Sequence, residues 1–429
     1  MRNIASPRRE RGAVIITVAL LLLLLLGFVG FAVDLGRLFI VKGELQTAMD
    51  ACALSAAHEL DGQADAITRA TSAGLTAANL NRVNLQSADW DAQGQLTAAG
   101  ITFRNAGFGL TTSATAARYA ECGHTQPAIQ MLLMHAMAAF DGDTAALFPE
   151  SRTVWARAVA TRAPAQSACP LPLALRPKAG GTAPNYGFTP GEWVRLLMAP
   201  GGAGGGEIGW ANLDGSSSAS ETEAEMLGYC GTEVGDDLGT PGVQASVADA
   251  WNFRFGLYRG GRRPEAHNPD MSGYSYTALN WPSRFNAFEG ATPAGAHPTA
   301  QNFITKRLAY ANCADTGTQV RGGPPGSNTC ESITGLSLNG FTQMAAAGAS
   351  AVGGHRTYGI RSRVALVPVV DGSNQVIDFT CMFMLQPLTI PMSDVYLEFR
   401  GNASDPGSPC VTAGIPGGSA GPLVPALVR

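Results

Sequence analysis

Residues 13–33 read AVIITVALLLLLLLGFVGFAV. They carry no charge, Thr17 is their most polar side chain, and Leu20 to Leu26 are seven consecutive leucines. As a helix rising 1.5 Å per residue, the stretch spans roughly 31 Å, which is the depth of a bilayer's hydrocarbon core. A single segment at that depth must satisfy its own backbone polar groups, so a helix is expected. Arg2, Arg8, Arg9 and Arg11 precede the run, whereas Arg37 and Lys42 follow it. Such a bias keeps the short N-terminus in the cytoplasm and exports the remainder. A cleaved signal peptide is the rival reading, with Gly30-Phe31-Ala32 as a small-x-small site. The run exceeds the ~7–15 apolar residues of a signal core, so a retained, single-pass anchor is expected.

Beyond Asp34, apolar residues recur at Leu38, Val41, Leu45, Ala48 or Met49, and Cys52. Steps of three and four mark one face of a helix, and no proline interrupts residues 13–60. Asp34 and Arg37 stand three apart and can pair near the membrane boundary. The sequence therefore predicts one long helix, apolar in its first half and amphipathic in its second. The amphipathic stripe has two possible destinations, a partner protein or the chain's own exported region.

The same stretch, through GELQTAMDACALSAAHEL, resembles the N-terminal Tad domain of TadE/TadG-like Flp pilus-assembly proteins. Gly12 follows the basic residues and opens the apolar run, and Asp34, Gly36 and Arg37 fill a D-x-G-R pattern. Gln46, Asp50, Ala51, Ala53, Leu54 and Ala56 fill an L-Q-x-A-x-D-A-x-A-L-A-x-A tract, with Cys52 where the family usually has alanine. The resemblance implies a non-catalytic protein anchored in a bacterial inner membrane, with its bulk in the periplasm. It also implies other Tad/Flp pilus-assembly proteins as partners through the N-terminal helix. Polymerising pilins are usually cut after a glycine such as Gly12, five residues before a glutamate; here that position holds Thr17. An uncleaved chain, acting as a minor pilin-like or scaffold component, is therefore expected.

Composition agrees with export. Past residue 11 the chain carries 25 basic and 32 acidic residues, which points away from a nucleic-acid partner. Charged residues make up 14%, well below the ~25% of typical soluble domains. With 52 glycines and 26 prolines, strands and long loops suit the chain better than a helical bundle. The expected fold class is α+β: a long pilin-like helix followed by a loop-rich, mostly antiparallel β region. The expected segments are residues 1–12 (cytoplasmic basic N-terminus), 13–33 (transmembrane helix), 34–165 (pilin-like Tad region) and 166–429 (loop-rich β region).

Within these, residues 62–82 predict a second helix, Ile101–Asn105 and Ala116–Cys122 short strands, Ala128–Phe140 a helix, and Thr153–Thr161 (TVWARAVAT) a strand. Residues 210–345 have little period and predict strands joined by long loops. Arg361–Val370 and Gln375–Leu385 flank Asp371-Gly372-Ser373-Asn374, a hairpin signature, and Val395–Phe399 adds a strand. From Gly401 the tail is expected to be irregular.

The eight cysteines include no C-x-x-C pair, which argues against zinc ribbons and thioredoxin-type chemistry. Their even number and wide spread fit disulfides in an oxidising compartment, with buried thiols as the other reading. Candidate pairs are Cys313–Cys330, around Gly322-Gly323-Pro324-Pro325-Gly326, and Cys381–Cys410, tying the tail to the hairpin. Cys169–Cys230 is a third, and Cys52–Cys122 a fourth if the long helix packs on the early sheet.

Several motifs match chemistry only in letters. Asp214-Gly215-Ser216-Ser217-Ser218 fits D-x-S-x-S, but no β-branched strand leads into it. Gly417-Gly418-Ser419-Ala420-Gly421 fits G-x-S-x-G in a proline-bounded tail with no histidine downstream. Gly204, Gly206 and Gly209 fit G-x-G-x-x-G without the strand and helix that give it meaning. The six histidines are scattered, and Arg259–Arg263 reads as a solvated loop, with a contact to an acidic partner as the other reading. No catalytic residue, metal site, cofactor or small-molecule substrate is expected. An alternative function is a membrane-tethered, carbohydrate- or surface-binding module, suggested by Trp193, Trp210, Trp251, Tyr274, Tyr276 and Trp281.

Overall fold

The apolar run belongs to a single helix, α1 (Arg11–His58). In this computed structural model the described residues are 11–131, 133, 150–198, 204–240, 245–259, 269–270, 275–281, 283–290, 302–306, 334–336, 338, 341–343 and 359–428. α1 is long and apolar enough to cross a membrane, and its most apolar window is only 6% buried. Val14, Leu20–Leu26, Phe28, Phe31 and Val33 are all exposed. The second half behaves differently: Val41, Leu45, Ala48, Met49, Cys52, Ala53, Ala56 and Ala57 are fully buried. Of the two destinations for the amphipathic stripe, the structure shows the chain's own domain.

The chain divides into two compact units, residues 1–162 with 425–429, and residues 163–424. In the first, α1 packs on α2 (Ala66–Asn79) and on a four-stranded sheet. The buried positions of α2 are Ala66, Ala70, Gly74 and Ala78, one per turn and all small, so the helices approach closely. A Cβ at Gly74 would lie 3.1 Å from Cys52 Sγ and 3.3 Å from Ala56 Cβ. The sheet runs β1 (Ile101–Arg104), β2 (Tyr119–Gln130), β3 (Ser151–Pro164), β12 (Leu423–Leu427). In β3, Ala156, Ala158 and Ala160 face the helices, while the alternate positions Trp155 and Arg157 are exposed.

The second unit is a closed barrel in the order β10-β11-β5-β6-β4-β9. Its strands are β4 (Leu173–Leu175), β5 (Trp193–Leu196), β6 (Ile208–Trp210), β9 (Val364–Val370), β10 (Val376–Met384) and β11 (Val395–Asn402). Neighbours are antiparallel except β4/β9 and β5/β6. Leu173, Leu175, Leu196, Ile208, Val367, Val369, Met382, Met384, Leu397 and Phe399 share the core. Closure leaves these short strands without open edges. A small ribbon, β7 (Leu257–Tyr258) with β8 (Thr342–Gln343), lies outside the barrel. The fold is thus mixed α+β, with a long apolar N-terminal helix and mostly antiparallel sheets.

Local expectations differ from the structure at four places. Ala128–Gln130 end β2 rather than start a helix; Pro127 and a register shift after Gln126 break the ladder, and Ala128 takes a left-handed φ of 56°. Residues 132 and 134–140 of that expected helix lie outside the described residues. Arg361–Arg363 form a helical turn, and the strand begins at Val364. Two helices, Ala219–Gly228 and Ala245–Phe253, stand where only strands and loops were expected. The tail is not wholly irregular, because Leu423–Leu427 forms β12. In the hairpin turn, Asp371 Oδ1 accepts from the Ser373 and Gln375 amides at 2.8 and 3.0 Å, and Asn374 takes φ 71°.

Candidate functional site

The residues quoted for the D-x-G-R pattern sit where α1 changes from exposed to buried. Asp34 is fully buried, and its Oδ2 accepts the Leu133 amide at 2.9 Å. One turn earlier, a Cβ at Gly30 would lie 2.9 Å from Leu133 Cβ. A glycine followed by an inward carboxylate therefore seats the chain just past β2 on the helix. Among the described residues, nothing lies within 4 Å of the Cβ position of Gly36. Arg37 is half-buried, and among the described residues its Nε finds no hydrogen-bond partner. Gly12 lies in the first turn of α1.

Two turns on, α1 completes the sheet. The free side of β3 presents the carbonyls of Trp155, Arg157 and Val159. Val159 O accepts the amide of Val428, the residue after β12, at 2.9 Å. Arg157 O accepts Gln46 Nε2 at 3.0 Å, and Trp155 O accepts Lys42 Nζ. Lys42 and Gln46 are one helical turn apart and the two carbonyls two strand residues apart, so the two ladders match. Gln46 Nε2 also donates to Asp50 Oδ1 at 2.8 Å. Glu44 accepts the amides of Leu85 and Gln86, at 2.8 and 3.1 Å, in a loop where residues 84–86 all have positive φ. Ala51 is half-buried, and Cys52 forms a disulfide with Cys122 of β2, with a Cα separation of 6.1 Å.

This stretch has a relative among known families. Residues 12–59 match the Tad family, TadE/G-like Flp pilus assembly. The match covers nearly the whole of α1 and stops one residue beyond it. No curated protein and no solved structure matches the chain. Within the Tad segment, Asp34 and Gln46 each contact a main-chain group, the Leu133 amide just past β2 and the Arg157 carbonyl of β3, rather than one another. They are fold-closing residues at the junction between helix and domain.

The other candidate residues fall elsewhere. Cys169–Cys230 and Cys381–Cys410 are disulfides, with Cα separations of 4.1 and 5.6 Å. Cys313 and Cys330 lie outside the described residues. Asp214 accepts the Ser216 amide within its own loop, and Glu225 accepts the amides of Leu213 and Asp214. Burial pushes the Glu225 carboxyl up, against those two donors. Among the described residues, no three His, Cys, Asp or Glu side chains are grouped to hold a metal ion. Gly418 lies against the Ala165 backbone, where a Cβ would come within 2.0 Å of its oxygen, and no helix follows. Gly206, at φ 88°, turns the chain into β6 rather than into a helix.

The described aromatic residues among those that suggested a ligand-binding platform are core residues. Trp251, Tyr276 and Trp281 are fully buried, and Trp193 and Trp210 are each 8% exposed; Tyr274 lies outside the described residues. Trp155, on which the sequence reading placed no weight, is 63% exposed. A signal for it was present: in TVWARAVAT it alternates with the alanines that pack inward.

Proposed function

We propose that the protein is a non-catalytic, membrane-anchored component of a Flp/Tad pilus or a related secretion machine, acting as a minor pilin-like or scaffold subunit. The observation that carries this reading is the coincidence of the Tad match with α1, a helix whose first half is exposed and apolar and whose second half closes the exported domain. α1 spans the bacterial inner membrane once, with the N-terminal arginines in the cytoplasm and both units in the periplasm. Disulfides among the described cysteines support an oxidising compartment. Since the amphipathic stripe is occupied, lateral association with other Tad proteins falls to the apolar half of α1. In lipid such association is driven by close helix packing. Five of the six aromatic residues that favoured a surface-binding module are buried, which weakens its support.

Processing separates the subunit roles. Thr17 replaces the glutamate expected five residues after a cut at Gly12, so the chain should stay intact. N-terminal sequencing of membrane-extracted protein should find residues upstream of Gly12, and an export-dependent reporter fused after Leu60 should be active. A chain beginning at Ala13, abundant in sheared surface fibres, would make it a polymerised pilin instead. An inactive export reporter would overturn the topology.

A further inference from the structure

The three described disulfides differ in their surroundings. Cys52 and Cys122 are fully buried between α1 and β2. Cys381 and Cys410 are buried where the tail meets β10. Cys169 and Cys230, by contrast, are both exposed. They line a cleft of about 440 Å³ in the second unit, together with Pro170, Leu171, Tyr229 and Val411. Cys410 borders the same cleft but is only 5% exposed.

Thiol–disulfide exchange requires a thiolate to reach one sulfur of the bridge, so access decides which bridge reacts. A buried bridge is reached only when the structure around it opens. Exchange at Cys52 would part α1 from its neighbours, since the Cβ position of Gly74 on α2 is already 3.1 Å from Cys52 Sγ. Exchange at Cys381 would open the barrel, because that residue pairs with Leu366 of β9 on one side and Gly401 of β11 on the other. The pair Cys169–Cys230 stands at the surface without either change. The segments that it joins are also held independently of it. Ala168 donates its amide to Thr232 O at 2.9 Å, and the amides of Gly231 and Thr232 donate to Ala168 O at 3.2 and 3.3 Å. The helix Ala219–Gly228, which leads into Cys230, is fixed at its own sites: Glu225 accepts the Leu213 and Asp214 amides, and Arg254 Nη2 donates to Met226 O at 3.3 Å. Opening this bridge therefore leaves both of its flanks in place.

We propose that Cys169–Cys230 is a reversible thiol–disulfide exchange site of the folded protein, with a dithiol oxidoreductase as its co-reactant. A thiolate of that dithiol attacks one sulfur of the bridge. The S–S bond breaks, a mixed disulfide forms, and the other cysteine leaves as a thiolate that takes up a proton. The second thiol of the oxidoreductase gives up its proton and attacks the mixed disulfide. That step closes the oxidoreductase's own disulfide and releases the remaining cysteine, which is protonated in turn. Two electrons pass to this chain, the oxidoreductase is oxidised, and the reverse sequence restores the bridge. The other two described bridges stay closed throughout, so α1 remains clamped to its sheet and the tail to β10. The exchange belongs to the second unit and does not depend on the membrane role proposed above.

The test uses the full, oxidised chain in detergent under native conditions. It is mixed with a thioredoxin-type dithiol protein whose second cysteine is replaced by serine, which traps the mixed disulfide. Peptide mapping should find the adduct on Cys169 or Cys230. With the intact dithiol protein, alkylation of timed samples should show this bridge opening at least about tenfold faster than Cys52–Cys122 or Cys381–Cys410. The chain reduced at this bridge alone should keep its near-ultraviolet dichroism and its hydrogen exchange across the barrel, and an oxidant should restore the same pair. The double variant Cys169→Ala, Cys230→Ala should fold with the same near-ultraviolet signal and form no adduct at either position. Absence of an adduct on this pair, or opening of the three bridges at one common rate, would overturn the proposal. So would loss of the near-ultraviolet signal on selective reduction or in the double variant, because the bridge would then be a structural staple of the barrel.

Discussion

Replacing Cys52 and Cys122 by alanine should loosen the first unit where the long helix is clamped to its sheet. The bridge joins α1 to β2 across 70 residues of sequence. In the chain-entropy model a closed loop of that length removes about 4.4 kcal/mol of unfolded-state freedom, and measured effects are typically about 2–4 kcal/mol. For a unit of this size each kcal/mol shifts Tm by about 2–4 °C, so the double variant should melt roughly 5–15 °C lower. A second change localises the effect. The Cβ of Gly74→Ala would meet Cys52 Sγ at 3.1 Å, Ile101 Cδ1 at 3.2 Å and Ala56 Cβ at 3.3 Å. With the bridge intact, that methyl is squeezed. Once Sγ is gone the tightest contact is lifted, and alanine's helical advantage over glycine, about 1 kcal/mol, is regained. Gly74→Ala should therefore be better tolerated without the bridge than with it, with a coupling on the order of 1 kcal/mol. The assay is thermal unfolding of the full chain in detergent by tryptophan emission. Hydrogen-exchange mass spectrometry assigns the shifted transition to residues 41–122. A shift below about 2 °C, or strictly additive variants, would refute the reasoning. Alkylation of the denatured, unreduced protein should label no cysteine other than Cys313 and Cys330; label on Cys52 or Cys122 would count against the bridge.

Two further outcomes follow from the same unit. Gln46→Ala removes the donor to Arg157 O and Asp50, at a cost of about 1 kcal/mol, and should raise amide exchange along β3; unchanged exchange would show that the edge needs no cap. His124, half-buried beside Trp90 at a ring distance of 5.1 Å, has its pKa pushed below 6.5 chiefly by burial. The unfolded state therefore takes up the proton first, so stability is kept above about pH 6.5 and lost as pH falls from there through the folded-state value. A pH series of melts should show that acid-side loss, and His124→Gln should flatten it; an identical slope in both would assign it to other groups.

How much of this was legible depended on whether a pattern was local. α1 could be read end to end, because 21 apolar positions and then a three-four stripe leave no other regular structure. The β9–β10 hairpin was legible for the same reason, having alternation on both sides of an Asp-Gly-Ser-Asn turn. The barrel was not. Three of its strands, β4, β5 and β6, have only three or four residues, and β4 meets β9 through the bridge from Leu175 to Val369. Nothing in a three-residue apolar run announces a partner so far along the chain. At the candidate site, Asp34 and Gln46 stood out by resemblance, yet their partners are the Leu133 amide and the Arg157 carbonyl. A main-chain group carries no residue-type signal, so the sequence marked one side of each contact and concealed the other.

That hidden side bears on how such a protein would work. If the first charge after a membrane span faces water, the span and the domain are joined by a solvated joint. Here Asp34 is buried beneath the end of β2, and Lys42, Gln46 and Cys52 each bind α1 to the sheet over the next turns. The helix is part of the domain from the end of the apolar run onward, without a linker. In the proposed setting, whatever the apolar half packs against in the bilayer fixes the rotation of the first unit about the helix axis, and with it the direction in which Trp155 and the outer face of β3 point. Partner choice within the membrane and presentation of the sheet outside it then become one geometric decision, made by a single 48-residue helix.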